Sequence, residues 1–333
     1  MAEIVLAVGS SHSPTLNSPA EEQELHAEVD KGMPSWPRQL VDKSGKKVSY
    51  DELLAQAPAD LVEQIKPEVI EQRVADCQTN MDRLEKEIEV ANLDALIIVG
   101  DDQKEQFFDD NMPAVLIYWG ETIPNTTLDL PEDAPEFWKH ARSMYHEQEG
   151  LHEYPVASDL ARHMISHMID HDFDVSHAKK LRFERGEGHA FGYVHRRLMR
   201  NKVTPIVPVA LNTYFPPNQP RPSRCYQLGQ EIRRAVEAWD KNARVGILAS
   251  GGLSHFTIDE DLDQDMLRAL KAHDADALRN LPREKLNAGN SEIRNWITMA
   301  GASEHLDVKW MEYIPCYRSA AGTGCAMAFG ILA

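Results

Sequence analysis

Short runs of consecutive apolar residues, rich in Val, Ile and Leu, alternate along this chain with longer segments of helical periodicity. Residues 4–8, 95–100, 114–118, 203–211 and 245–250 lack the polar alternation of a half-exposed strand. Each therefore reads as a strand covered on both faces. Between them, residues 67–90 place Val69, Val74, Met81, Leu84 and Ile88 on one stripe, the pattern of an amphipathic helix. Further helices are expected at 155–171, 226–240, 259–279 and 290–301, with a short strand near 173–176. Buried strands alternating with helices specify an α/β fold with a central, mostly parallel sheet flanked by helices. Such sheets bind ligands outside the carboxyl ends of their strands, so the loops after those strands are where chemistry is expected.

Composition narrows the function classes. The chain has 333 residues, 35 Lys and Arg against 53 Asp and Glu, and a formal charge of −18. A nucleic-acid backbone needs a basic footprint, and an anionic membrane surface needs the same, so neither partner is expected. Cys77, Cys225, Cys316 and Cys325 form no CxxC pair, which suggests reduced thiols and a cytoplasmic protein. The opening residues resemble no signal peptide, and no run is long and apolar enough to cross a membrane. Residues 1–333 read as one domain, with a polar, turn-rich insertion or lid at about 31–60.

Three strand-following loops carry polar groups. They are Ser10-Ser11-His12-Ser13-Pro14, Gly100-Asp101-Asp102-Gln103 and Ser250-Gly251-Gly252-Leu253-Ser254-His255; Gly186-Glu187-Gly188-His189 is a fourth cluster. A histidine just after a strand is well placed to ligate a metal or move a proton. His163, His167 and His171 recur every four residues on one expected helix, a zinc-compatible spacing for which no carboxylate or cysteine is supplied by motif. The Gly-x-Ser-x-Gly elbow of serine hydrolases is absent, and Gly322-Thr323-Gly324-Cys325 lacks the rest of a phosphate-binding fingerprint. The acidic run 259–263 opens a helix, where capping and a metal or catalytic role compete evenly.

Ser11-His12-Ser13-Pro14, Asp101-Asp102-Gln103 with Phe107-Phe108, Met112-Pro113, Gly188-His189, Leu228-Gly229, the stretch 250–255 and Ser291–Trp296 together resemble the class III extradiol ring-cleavage dioxygenases, the LigB-like family. That resemblance implies a non-haem Fe(II) centre that opens a catechol-like or hydroxylated aromatic ring with O2, in a homo-oligomer. By position, His12 and Gln103 correspond to metal-binding residues, and the acidic segment after His255 supplies Glu260 or Asp261 as the carboxylate ligand. His189 and His255 correspond to the catalytic acid/base histidines, with Asp102 and Ser254 as substrate-binding candidates. Arg182, Arg185 and Arg196 lie near His189 in sequence and are candidates for a substrate carboxylate.

Two positions depart from the family pattern. Gln103 stands where the family has its second metal histidine, and Gly188 stands where relatives usually carry Asp. A glutamine carbonyl is a harder, weaker donor to Fe(II) than imidazole. Two alternatives therefore stay open: metal-independent hydrolytic or lyase cleavage through His189 and His255, and a non-catalytic partner subunit.

Overall fold

The computed structural model describes residues 1–32 and 39–333. Its strands are β1 (Glu3–Ser10), β2 (Ala95–Gly100), β3 (Val115–Tyr118), β4 (Thr122–Asn125), β5 (His152–Pro155), β6 (Ser176–Ala178), β7 (Ile206–Leu211), β8 (Arg244–Ser250), β9 (His255–Thr257), β10 (Val308–Tyr317) and β11 (Thr323–Leu332). Among the described residues, nine of them form one sheet in the order β10-β11-β1-β8-β2-β7-β3-β6, with β9 added to β11. The central run β1-β8-β2-β7 is parallel throughout, and antiparallel pairs occur at its two margins. The fold is α/β as the apolar runs require. The Ala/Gly/Met-rich terminal segment is β11, inserted antiparallel between β1 and β10.

Period-two alternation divides the central strands between two apolar layers. Ile97 and Val99 face one layer with Val207, Val209 and Ile247; Leu96 and Ile98 face the other with Val8 and Leu248. Helices Ser158–Asp170, Pro222–Glu237, Glu260–Lys271 and Ile293–Ala302 contribute to the first layer. The second is closed by Pro67–Val90 through Cys77, Met81, Leu84 and Ile88. Among the described residues, no helix is long and apolar enough to cross a membrane.

The expected helix 259–279 divides in two, because Asp274 caps a second helix, Ala275–Arg279, by accepting from the Ala277 N–H at 2.9 Å. The expected helix 290–301 begins as a tight 3-10 turn, Ala288–Glu292, before the α-helix Ile293–Ala302. The strand expected at 173–176 lies at Ser176–Ala178. Within the segment taken as an insertion, helix Tyr50–Gln56 starts on a capping box of Ser49 and Glu52, and Leu40 and Leu53 pack on Ala321. Residues 33–38 of that segment lie outside the described residues.

Helices Pro222–Glu237 and Ile293–Ala302 meet backbone to backbone. A Cβ added at Gly229 would lie 1.9 Å from the Thr298 carbonyl oxygen, and one at Gly301 2.1 Å from that of Tyr226. The crossing seats the turn Ala288–Glu292 against the sheet edge, since that turn leads directly into the second helix. Gly229→Ala is expected to cost about 3 kcal/mol, the upper range for overpacking a core. Urea denaturation beside the exposed control Gln227→Ala measures it; equal midpoints would show that the crossing can relax.

Candidate active site

The loops after β1, β2, β7 and β8 converge on one edge of the parallel sheet, at a cavity of about 280 Å³ lined by His12, Gln103, Glu105, His189, His255 and Glu292, among others. His12 leaves β1 with its ring fixed from behind. The Ser250 hydroxyl donates to the Ala190 carbonyl at 2.7 Å, so its oxygen accepts from the His12 Nδ1–H at 2.9 Å. In the neutral ring this tautomer leaves Nε2 with a lone pair on the cavity side; in the protonated ring Nε2–H points the same way. Nε2 lies 3.3 Å from Glu292 Oε2 and 3.9 Å from Asp101 Oδ1.

Glu292 is 1% exposed and is the centre of the cluster. Its Oε2 accepts from the Gly252 N–H at 2.8 Å; its Oε1 accepts from Tyr214 OH at 2.6 Å and from the Gln103 amide at 3.4 Å. His255 Nε2 lies 3.2 Å from the same Oε1 and 3.1 Å from Tyr214 OH, while its Nδ1–H donates to the Leu253 carbonyl at 2.9 Å. Burial acts against the Glu292 charge, yet His255 and His12 hold its pKa well below the usual carboxylate range. Burial likewise opposes a proton on His255, and Glu292 more than reverses that, raising its pKa.

His189 is clamped twice by Glu105. The backbone N–H donates to Oε1 at 3.0 Å and the ring Nδ1–H to Oε2 at 2.7 Å. Burial works against the imidazolium, but Glu105, then Asp101 and Glu292, lift the pKa to about 9. Glu105 is held at about 2, because His189 and Arg142 outweigh its burial. Gly188 precedes the clamp at φ +79°, a left-handed conformation that suits glycine, and its missing Cβ would lie 3.0 Å from Glu105 Oε2. Asp at this position would be strained and would bring a second carboxylate beside Glu105.

Asp101 completes the group. It is buried, and its pKa is raised to about 6 by that burial and then by Glu292, against His189 and His12. Asp101 Oδ2 and His189 Nε2, 3.7 Å apart, are both buried without a hydrogen-bond partner among the described residues. One ligand atom each from His12, Asp101 and His189 falls within 4.8 Å of the others.

His12 Nε2 stands between two buried carboxylates, 3.3 Å from Glu292 and 3.9 Å from Asp101, a place that takes a positive charge, either a proton on the ring or a metal ion. The 3.3 Å between His12 Nε2 and Glu292 Oε2 is close to the roughly 3 Å separating adjacent donors on a divalent ion bonded at about 2.1 Å. The residues therefore fit a metal ion.

Of the residues expected from sequence, His12, Gln103, His189 and His255 are brought together here. Glu260 and Asp261 are not. Glu260 accepts from Tyr317 OH at 2.7 Å, and Asp261 pairs with Lys43 at 2.8 Å on the surface; neither lines the cavity. They occupy the first turn of Glu260–Lys271, whose cap is Asp259, so the acidic run takes the capping side of its two readings.

Asp102 is also diverted. Its carboxylate accepts from the N–H groups of Glu105, Gln106 and Phe107 and so shapes the loop that presents Glu105. Ser254 is buried and donates to Asp263 at 2.5 Å. Arg182 pairs with Asp110 and Arg196 with Glu147, and none of Arg182, Arg185 and Arg196 lines the cavity. Sequence reasoning missed the roles of Glu292, Glu105, Tyr214 and Arg142. A lone carboxylate ahead of the apolar Ile293 and Trp296 was the available signal for Glu292.

The sequence model of one family, described as the catalytic LigB subunit of aromatic ring-opening dioxygenase, matches residues 139–328, more than half of the chain. The chain belongs to the LigB family. A 2,3-dihydroxyphenylpropionate/2,3-dihydroxicinnamic acid 1,2-dioxygenase of Xanthobacter autotrophicus is 25% identical over 189 residues, 57% of this chain and 51% of the relative. Gallate dioxygenase of Pseudomonas putida is 33% identical over 98 residues, 29% of this chain and 28% of the relative. Thus this LigB-family chain matches about half the length of one curated relative and under a third of the other.

The cavity lining also includes His26, whose Nε2 lies 2.8 Å from Ser18 Oγ and whose ring packs edge-on to Phe137. Burial, then Arg318, push its pKa from 6.5 to about 4 against the opposing charge of Asp30. The unfolded chain therefore binds the extra proton between pH 6.5 and about 4, and the stability held above pH 6.5 is lost as pH falls through that window. Thermal unfolding across pH 4–7 should show a shallower acid slope in His26→Gln than in the parent. Parallel slopes would assign the acid sensitivity to other groups.

Proposed function

We propose that this chain opens the ring of a catechol-like aromatic acid with O2, using Fe(II) held by His12, Glu292 and Asp101 with Gln103 beside them. The observation that carries this reading is the 3.3 Å approach of His12 Nε2 to the Glu292 carboxylate; the LigB match takes in Glu292, His189 and His255, while His12, Asp101 and Gln103 precede it. Fe(II) bound there would supply a centre able to chelate both diol oxygens and to bring O2 beside the ring. Overall, one ring carbon–carbon bond breaks and both oxygen atoms of O2 enter the product.

The chain's own groups manage protons and orientation. His189 presents Nε2 to the cavity with its ring fixed through Nδ1, so it can exchange a proton with a substrate oxygen without reorienting. His255, Tyr214 and Glu292 form a second hydrogen-bonded group, and His255 and Tyr214 hold the carboxylate's direction. Gln103 donates to Glu292 through its amide N–H; a half-turn of the amide would present its carbonyl oxygen to the same region.

Arg142 lines the cavity with its Nε buried and without a hydrogen-bond partner among the described residues. Arg318, on the same wall, is already engaged in two bonds to Asp30, at 2.6 and 2.8 Å. Arg142 is thus the group suited to a substrate carboxylate.

The test is anaerobic loading with Fe(II), followed by O2 uptake on a panel of catechols with and without a carboxylate. Glu292→Gln should lose iron and activity together, whereas Glu260→Gln and Asp261→Asn should keep both. Gln103→His should tighten iron binding, because imidazole replaces an amide near the site. Ring opening by iron-free protein without O2 consumption would overturn the reading in favour of metal-independent cleavage.

A separate expectation concerns substrate choice. Arg142→Met should raise KM for carboxylated catechols about 10- to 100-fold, the value of one charge-assisted contact, with a much smaller change in kcat. An equal effect on uncharged catechols would remove Arg142 from substrate recognition.

A further inference from the structure

Between two helices of the first apolar layer, the four-residue histidine repeat meets a carboxylate that the linear sequence does not announce. Glu231, on helix Pro222–Glu237, is 5% exposed, and its Oε1 lies 3.1 Å from His167 Nε2 on helix Ser158–Asp170. Both atoms are buried and make no hydrogen bond among the described residues. His171, just past the end of the same helix, stacks on His167 with ring centroids 4.0 Å apart. Its Nδ1–H donates to the His167 carbonyl at 2.7 Å, which leaves Nε2 as the lone-pair nitrogen. His163 is otherwise engaged, with Nε2 at 2.9 Å from the Ala235 carbonyl.

We propose that His167, His171 and Glu231 form a second divalent-cation site, suited to Zn(II), that clips helix Ser158–Asp170 to helix Pro222–Glu237. One ligand atom from each of the three residues lies within 4.8 Å of the others, and none of the three lines the cavity that contains His12. Two imidazoles and one carboxylate are borderline donors of the kind zinc takes, with a fourth position left for water on the exposed side of His171. Tetrahedral ligands at about 2.1 Å are roughly 3.4 Å apart, so on binding the exposed His171 ring would move inward while Glu231 stays seated. The other carboxylate oxygen, Oε2, accepts from Arg234 at 2.9 Å, which fixes the direction of Oε1. Burial, followed by the neighbouring His171, lowers the His167 pKa despite Glu231, so its ring is neutral near pH 7.

The experiment is calorimetric titration of chelator-treated full-length protein with Zn(II), with thermal unfolding read in parallel. The parent should bind one equivalent more than His171→Ala and should gain thermal stability that this variant does not gain. His171 is exposed, so its removal leaves the core packing intact. Glu231→Gln should weaken the same equivalent about tenfold or more, since the buried carboxylate is its only anionic ligand. Equal stoichiometry in parent and His171→Ala overturns the proposal. So does an equivalent that depends on the histidines but not on Glu231, which would be adventitious binding to a surface histidine pair. The readout is independent of ring opening, so the outcome stands whether or not the catalytic reading does.

Discussion

A buried carboxylate, Glu292, organises the active-site end of this protein. An ionised group removed from water costs several kcal/mol unless it is paired and hydrogen-bonded, so the chain must bring partners to it from many directions. It does so from four loops: His12 after β1, Gln103 after β2, Tyr214 after β7, and Gly252 with His255 after β8. The parallel register of β1, β8 and β2 sets these loops at one level. The close helix crossing at Gly229 and Gly301 sets the helix that follows Glu292 at the same edge. Fold and site are in this sense one construction.

The cluster is strongly charged for its degree of burial. Asp101, Glu105 and Glu292 face His12, His189 and His255, and each shifted pKa among them reflects burial opposed by a neighbour of opposite sign or reinforced by one of the same sign. Glu105 and His189 form a self-contained pair, whereas Asp101 Oδ2 and His189 Nε2 remain without hydrogen bonds on the inner side. Unsatisfied buried groups of this kind are costly in a protein without a ligand and useful in one that binds a cation or substrate there. In the proposed iron site, Gln103 in place of an imidazole would make the donor set harder and richer in oxygen than two histidines and a carboxylate.

The two departures from the family pattern have different physical meanings. Gly188 is explained by its backbone, which turns at φ +79° to present both the N–H and the ring of His189 to Glu105. Gln103 is explained by its neighbour, since its amide contributes one of the hydrogen bonds to Glu292. Asp102 and Ser254, adjacent in sequence to the site, serve instead to shape the loops that form it.

The alternation of apolar runs with helical segments determined the α/β architecture and the edge at which to look, because strands buried on both faces cannot be anything but interior to a covered sheet. The sequence also placed His12, Gln103 and His255 in segments that follow buried strands, and the motifs around them and around His189 carried the family resemblance. The identity of the carboxylate was decided only by the tertiary structure. Glu260 and Asp261 lie near His255 in sequence, yet a helix start directs them to Tyr317 and Lys43. Glu292 reaches His12 from a distant part of the chain through helix packing, and linear spacing carries no information about such an approach. The same limit applies to Glu231. The histidine repeat was legible as one helix face, but the carboxylate opposite it belongs to a different helix, and only packing of the two on a shared sheet brings them within 3.1 Å.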